Sequence, residues 1–454
     1  MTPAAAKIAR AAALPDSAVG HLQQALRYQT VSYDYNTAPD SAQFLGFHRL
    51  LQRTYPLVHA QLRREVVNGY TLVYKWSGRD TLLAPAVLMA HFDVVPVEEA
   101  TAARWTVDPW AGTVQLGRIW GRGAVDNKIN VTTMLEATET LLRAGFQPAR
   151  TCYFVFGHDE ELGGQQGARH VAALMQQRGV RPQFVLDEGG FVTTDRVPGL
   201  QGQPVALVGT AEKGYLSLQL TAEVVGGHSS IPENTTAIDL ITQAVVTLRQ
   251  HTFPASFTPP MDDFAAHIGP RLAFGQRLAF ANRWLLRPLI LSIYTQTASG
   301  AAAVRTTLVP TITHAGTKDN VVPTSATATV NMRLLPGTSS TAALASVRAL
   351  LPDKRVKVEP VGTIAEPSAS ASSSSPAYQL IEQQIRAQIP GVIPSPFLFV
   401  ALTDSRHFGA VTPNIFRFSP LTNPQGFHGI DESISLTSFH QCFNFYHNLL
   451  RDMP

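Results

Sequence analysis

Short apolar runs bounded by turn residues alternate with longer stretches whose apolar positions recur at helical spacing, and this pattern governs the first half of the chain. Helical spacing predicts helices over 19–28 and 41–54, the second capped by Asp40-Ser41, and again over 129–144 and 165–178. Between them fall strands over 65–67, 71–76, 151–156 and 183–186, and an apolar strand in 86–96 that ends in His91 and Asp93. Strand and helix in alternation predict an α/β fold, a mainly parallel sheet with helices on both faces. The pattern changes at 212–214. Strand 215–225, helix 236–250, strands 306–314 and 326–334, helix 340–351 and strand 355–360 form a β-α-β-β-α-β series, the mark of a small α+β, ferredoxin-like unit. A serine-rich connector at 368–375 follows. The last helix, 436–453, is expected to return to the first sheet. The small unit is then an insertion: residues 1–211 and 363–454 build one domain, and 212–362 the inserted one.

The polar residues stand where such a sheet binds ligands, at the carboxyl ends of strands. His91 and Asp93 share a face of their strand, being two residues apart. Glu160 and Glu161 follow the strand 151–156, Asp187 follows 183–186, and Asp126 sits where the glycine-rich loop 121–127 enters a helix. Each has a plain structural reading: a solvated acidic turn for Glu160-Glu161, a helix cap for Asp126, a structural pair for His91 and Asp93. Three strand ends bearing acid or histidine, with Asp126 in a loop as the fourth such place, argue for more than that. Adjacent carboxylates repel unless a positive partner sits beside them, and a metal ion is the common one, leaving one glutamate free as a base.

Composition narrows the class. A chain of 454 residues exceeds one ordinary core, and 45% hydrophobic residues argue against disorder. The net charge is +3 and the basic residues are scattered, so no nucleic-acid partner is expected. Two cysteines, Cys152 and Cys442, provide neither a disulfide framework nor a thiolate metal site. Residues 1–20 carry Lys7 and Arg10 but only a short alanine run, which does not read as a secretory leader; a cytoplasmic location is favoured over a secreted one. No stretch reaches the length of a membrane span.

Five blocks, taken together and in order, carry a resemblance: MAHFDVVP, GRGAVDNK, GHDEELGG, LDEGG and FHGIDESI. The chain resembles the zinc-dependent aminoacylase, carboxypeptidase S and glutamate carboxypeptidase family of co-catalytic metallopeptidases, over essentially its whole length. Residues 282–290 and the run TDSRHF at 403–408 liken it most to the carboxypeptidase S branch and, there, to the secreted N-fatty-acyl-amino-acid synthases/hydrolases of mammals. The resemblance implies a di-zinc exopeptidase-like fold whose inserted domain serves as lid and dimerisation unit. It implies two zinc ions, one held by His91, Asp126 and Asp187, the other by Asp126, Glu161 and His428, with Asp126 bridging. Glu160 would be the general base, Asp93 the partner of His91, and His228 a donor to the scissile carbonyl, often from a neighbouring subunit. Asn320, Thr403 and Arg406 would grip the substrate, and Asp126–Asn127 would be a cis peptide. Arg406 also has a structural reading, an ion pair with Asp404.

The implied reaction is hydrolysis of the amide bond of N-acyl amino acids, with the reverse condensation allowed. Residues 251–303 depart from shorter relatives. Their apolar run 284–291, broken by Arg287 and Pro288, is expected either to pack as core on the inserted domain's sheet, to line a channel for a long acyl chain, or to shield an apolar patch at a homodimer contact. A carboxypeptidase or dipeptidase acting on short peptides would use the same metal site with a different pocket. A non-catalytic binding protein would have lost Glu160 or a ligand, and neither is lost.

Overall fold

The structure, a computed structural model, describes residues 14–454; Lys7, Arg10 and most of the stretch weighed as a leader lie outside them. Two sheets organise the rest. The larger has nine strands: Arg63–Val67, Thr71–Trp76, Cys152–Gly157, Ala86–His91, Phe184–Asp187, Ile415–Arg417, Val205–Glu212 and Ile393–Phe399 in that spatial order, with Val192–Thr193 beside Val205–Glu212. Its four central strands, Cys152–Gly157 to Ile415–Arg417, run parallel, while the edge pair 63–67 and 71–76 is antiparallel. Ala86–His91 is buried along its whole length. That is why its sequence is a continuous apolar run rather than an alternation: helices cover both faces. Lys128–Arg143 and the final helix Leu436–Asp452 pack together on one face, where Phe154, Phe156, Met134 and Phe443 share a core. Ala168–Gln177 covers the other through Val171 and Met175, against Val87, Met89 and Val155.

The second sheet is antiparallel throughout: Thr307–Ala315, Ser325–Leu334, Gly214–Glu223, Val356–Ala365. Gly214–Glu223 alternates, with Leu216, Leu218, Leu220 and Ala222 buried and the residues between them facing outward. Helices Ala237–Gln250 and Ser340–Leu350 cover the buried side and close a separate core. This is the expected β-α-β-β-α-β series with the first strand between the third and fourth. The 236–250 helix opens on a capping box, Thr236 accepting from Asp239 N while Asp239 accepts from Thr236 N.

Two expectations need correction. The helix expected from 165 begins at Ala168, because residues 160–167 wind into a turn around Asp159, whose carboxylate accepts from Gln166 N at 2.7 Å and Gly167 N at 2.8 Å. The insert does not pack on the small sheet. It forms four helices, Pro259–Ile268, Phe274–Ala281, Arg283–Tyr294 and Ala298–Val304, and its inward residues Met261, Phe264, Ile290 and Leu291 join Leu207 and Leu398 of the large sheet's edge. That edge strand, Ile393–Phe399, holds Pro394 and Pro396, which only an edge position tolerates and which hid it from a periodicity reading.

Candidate metal centre

Four segments bring their ends together at the carboxyl edge of the parallel strands. The strand Ala86–His91 delivers His91, Cys152–Gly157 leads into the one-turn helix Glu160–Leu162, Phe184–Asp187 leads to Glu188, and the loop before Lys128–Arg143 presents Asp126. His428 approaches from the loop that precedes Ser433–Ser435. The peptide Asp126–Asn127 is cis, as the resemblance implies.

The donors fall into two groups that share Asp126. His91 Nε2 lies 2.9 Å from Asp126 Oδ1 and 3.0 Å from Glu188 Oε1. His428 Nε2 lies 3.0 Å from Asp126 Oδ2 and 3.2 Å from Glu161 Oε2. Within each group one ligand atom per residue falls within 4.8 Å of the others. Asp126 thus turns one carboxylate oxygen to each histidine, which is the geometry of a bridging ligand. Charge makes the same case. Burial pushes the Glu161 carboxyl up to about 7 and that of Glu188 up to about 8, each raised further by the nearby Asp126. Hydrogen bonds to Asp126 and Glu161 carry His428 up to about 10. So many carboxylates in a dry site call for concentrated positive charge, and imidazole with carboxylate donors suits a borderline divalent ion. Glu161 Oε1 is buried with no protein partner, a free lone pair on a ligand-bearing residue. The residues fit a pair of metal ions.

Glu188, not Asp187, completes the group around His91. Asp187 is buried one residue earlier, and its carboxylate accepts from Glu188 N at 2.9 Å and from Ser405 N at 2.8 Å. It ties the Glu188 backbone to the 404–410 turn. Successive residues leaving a strand point to opposite sides, so one of the two adjacent acids faces the metal position and the other faces the protein.

Around the donors, Asp93 is fully buried beneath His91. Its backbone carbonyl stands 3.0 Å from His91 Nδ1, and its carboxylate accepts from Glu160 N and Glu161 N, each at 3.2 Å. It therefore orients the imidazole through Nδ1 and sets both glutamates. Glu160 belongs to neither donor group; its Oε2 is 3.9 Å from His91 Nε2. Burial raises its carboxyl well above the ordinary range.

The other expected residues lie in three places. His228 and Asn320 sit together on an exposed two-stranded ribbon, Gly227–His228 with Val321–Val322, where Ser229 N donates to Asn320 O and His228 Nδ1 bonds Ser230 Oγ at 2.7 Å. Thr403 is buried and donates to Glu212 Oε1 at 2.7 Å, and Glu212 is in turn paired with the buried Arg417 at 2.8 Å. Arg406 makes no ion pair with Asp404; its guanidinium bonds the carbonyls of Gly163 and Thr403. Asp404 instead lies buried against Gly164, whose positive φ of 64° and lack of a side chain leave it room.

Glu432 is the residue that pattern reading passed over, although it stands inside the FHGIDESI block. Wholly buried, it pairs with Arg122 at 2.7 Å and accepts from Gly123 N, Val125 N and Asp126 N. It thereby holds the loop that presents the shared aspartate. Glu432→Ala leaves three amides without a partner and strips the buried Arg122 guanidinium of its only carboxylate, keeping for it just the Gly429 carbonyl, so unfolding free energy is expected to fall by about 3–5 kcal/mol in denaturant titration. A loss below about 1 kcal/mol would show the loop to be held by other contacts.

The sequence profile of peptidase family M20/M25/M40 matches residues 87–452. The chain belongs to that family. It is 37% identical over 441 residues to the probable carboxypeptidase S-like 2 of Dictyostelium discoideum, an alignment covering 95% of this chain and 84% of that protein. To the N-fatty-acyl-amino acid synthase/hydrolase PM20D1 of Xenopus tropicalis it is 36% identical, covering 95% and 85%, and to that of Homo sapiens 33%, covering 95% and 86%. In fold it is similar to the M20 family metallo-carboxypeptidase Sso-CP2 of Sulfolobus solfataricus, with a TM-score of 0.71 at 16% identity over 96% of this chain and 99% of that one. Human carnosine dipeptidase 1 gives 0.67 at 14% identity, covering 96% and 95%. The chain is thus a hydrolase of the metallopeptidase and amidohydrolase kind. Among the described residues no helix is long and apolar enough to cross a membrane.

Proposed function

We propose that this family member hydrolyses the amide bond of N-acyl amino acids bearing large hydrophobic acyl groups, using two zinc ions. One observation carries the chemistry: two histidine–carboxylate groups share Asp126, with Glu160 beside them and outside both. His91, Asp126 and Glu188 would hold one ion, and Asp126, Glu161 and His428 the other. When bound, such ions polarise a carbonyl and make water acidic enough to yield its proton near neutral pH. Glu160 takes that proton as the water oxygen bonds to the acyl carbon. It then gives the proton to the amide nitrogen, so that the C–N bond breaks to release a neutral amine. Burial suits Glu160 to this exchange by raising its proton affinity.

For the substrate, His228 on its exposed ribbon is the proposed donor to the carbonyl oxygen, reached by closure or from a second copy of the chain through the inserted domain. Asn320 lies beside it. Arg406, fixed by two carbonyls near Glu160–Leu162, is the proposed partner of the substrate carboxylate, with Thr403 shaping its loop. The acyl preference is supported by the synthase/hydrolase relatives rather than by a channel in the insert, whose inward face is spent on packing against the edge of the large sheet. The carboxypeptidase S-like relative supports a peptidase instead.

Measuring kcat/KM for acetyl-, octanoyl- and oleoyl-phenylalanine beside a glycyl dipeptide separates the two. Each buried methylene contributes up to about 0.8 kcal/mol, so the oleoyl compound is expected to exceed the acetyl one by at least about a hundredfold. A best rate on the acetyl compound would make it an ordinary aminoacylase. A best rate on the dipeptide would make it a peptidase.

A further inference from the structure

The helix Arg283–Tyr294 is apolar on both sides, and only one side has a partner. Leu286, Ile290, Leu291 and Tyr294 face the core, while Trp284, Leu285, Leu289 and Ile293 face outward and are 54% to 78% exposed. Phe274 and Leu278 on the preceding helix Phe274–Ala281 are exposed to a like degree. Large exposed side chains at helical spacing, on two consecutive helices, are an interaction surface rather than scattered surface residues.

Charge identifies what covers it. Residues 264–304 contain no aspartate or glutamate, but Arg271, Arg277, Arg283 and Arg287. The whole chain carries only +3, so the remainder is net negative, and these four arginines are a local basic excess on the two helices and the turn before them. Arg283 and Arg287 share the single carboxylate of Asp262, at 3.7 and 3.4 Å, and all three are partly exposed, so that pairing offsets one charge at most. A basic fringe around an apolar helical ridge, with a tryptophan at its edge, is the chemistry of a helix lying in the headgroup region of a membrane. With 12 residues the helix is too short to span one. A second copy of this surface would bring basic fringe against basic fringe.

We propose that these two helices dock on an anionic lipid bilayer, their apolar residues entering the interface and their arginines meeting lipid phosphates. Docking is read without substrate, so it stands or falls apart from the assignment of the reaction. The test uses the full chain with vesicles of phosphatidylglycerol and phosphatidylcholine, against vesicles of phosphatidylcholine alone, followed by co-sedimentation. The protein is expected to pellet with the anionic vesicles, and added salt to release it. Trp284→Ser combined with Leu285→Ser and Leu289→Ser, all at exposed positions, is expected to lower partition by at least about tenfold. Arg271→Glu with Arg277→Glu tests the fringe separately, since each basic residue near an anionic surface is worth roughly a fivefold gain in partition. The proposal is overturned if the protein stays in the supernatant with anionic vesicles, or if the serine and glutamate variants pellet like the parent. It is equally overturned if light scattering shows a dimer that the serine variant converts to monomer while no vesicle binding occurs, which would assign the surface to a second copy.

Discussion

Glu160→Gln is expected to retain its metal and lose at least about a hundredfold in turnover, the scale of a lost general base. The argument is geometric. Glu160 stands outside both donor groups, yet its Oε2 is within 3.9 Å of His91 Nε2, and the Asp93 carboxylate fixes its backbone nitrogen. Glutamine keeps the shape and those backbone contacts but cannot accept a proton. Metal analysis of the purified variant beside its kcat separates the two properties. Undiminished turnover would assign the base elsewhere, and a loss of metal would make Glu160 a ligand. Glu161→Gln should behave differently in kind, because Glu161 Oε2 points at His428 within the second donor group. Its metal content should fall first, and its activity with it.

The second large effect separates two neighbouring acids. Glu188→Gln removes a donor from the group around His91, and is expected to lower metal stoichiometry and abolish measurable activity at ordinary metal concentration. Asp187→Asn acts on a partner of the site instead. Its carboxylate receives two backbone amides, from Glu188 and Ser405, and a carboxamide can satisfy only one of them without turning a donor toward the other. Metal affinity should then fall about tenfold to a hundredfold, the usual cost of disturbing a residue that orients a ligand. Excess metal should restore Asp187→Asn and leave Glu188→Gln impaired. The reverse ranking, read by metal titration of both variants, would return the ligand role to Asp187.

Much of the fold is written locally. Ala86–His91 is apolar because both faces of its strand are covered, Gly214–Glu223 alternates because one of its faces is, and Asp40 and Thr236 announce helix starts through their own side chains. These signals lie within a few residues of what they determine. The placement of acid and histidine at the ends of parallel strands was legible for the same reason, since strand direction carries each such residue to one edge of the sheet.

What only tertiary structure decided are matters of which side and which partner. The face on which Glu188 rather than Asp187 emerges depends on the 404–410 turn, which lies more than two hundred residues away and claims the Asp187 carboxylate. Arg406 is two residues from Asp404, an acid it could pair with, yet bonds the carbonyls of Gly163 and Thr403 because the turn at 160–164 carries one of them to it. Glu432 reads as one more charge in a loop until its burial against Arg122 and the amides of 123–126 shows that it shapes the metal loop. The insert is apolar on two sides, and only packing against Leu207 and Leu398 determines which side remains to meet something else. Sequence by itself determined the elements with a clear periodicity and the residue types at the site, because these follow from short-range pattern. Tertiary structure decided which of two adjacent side chains does the work, because that rests on contacts made across hundreds of residues.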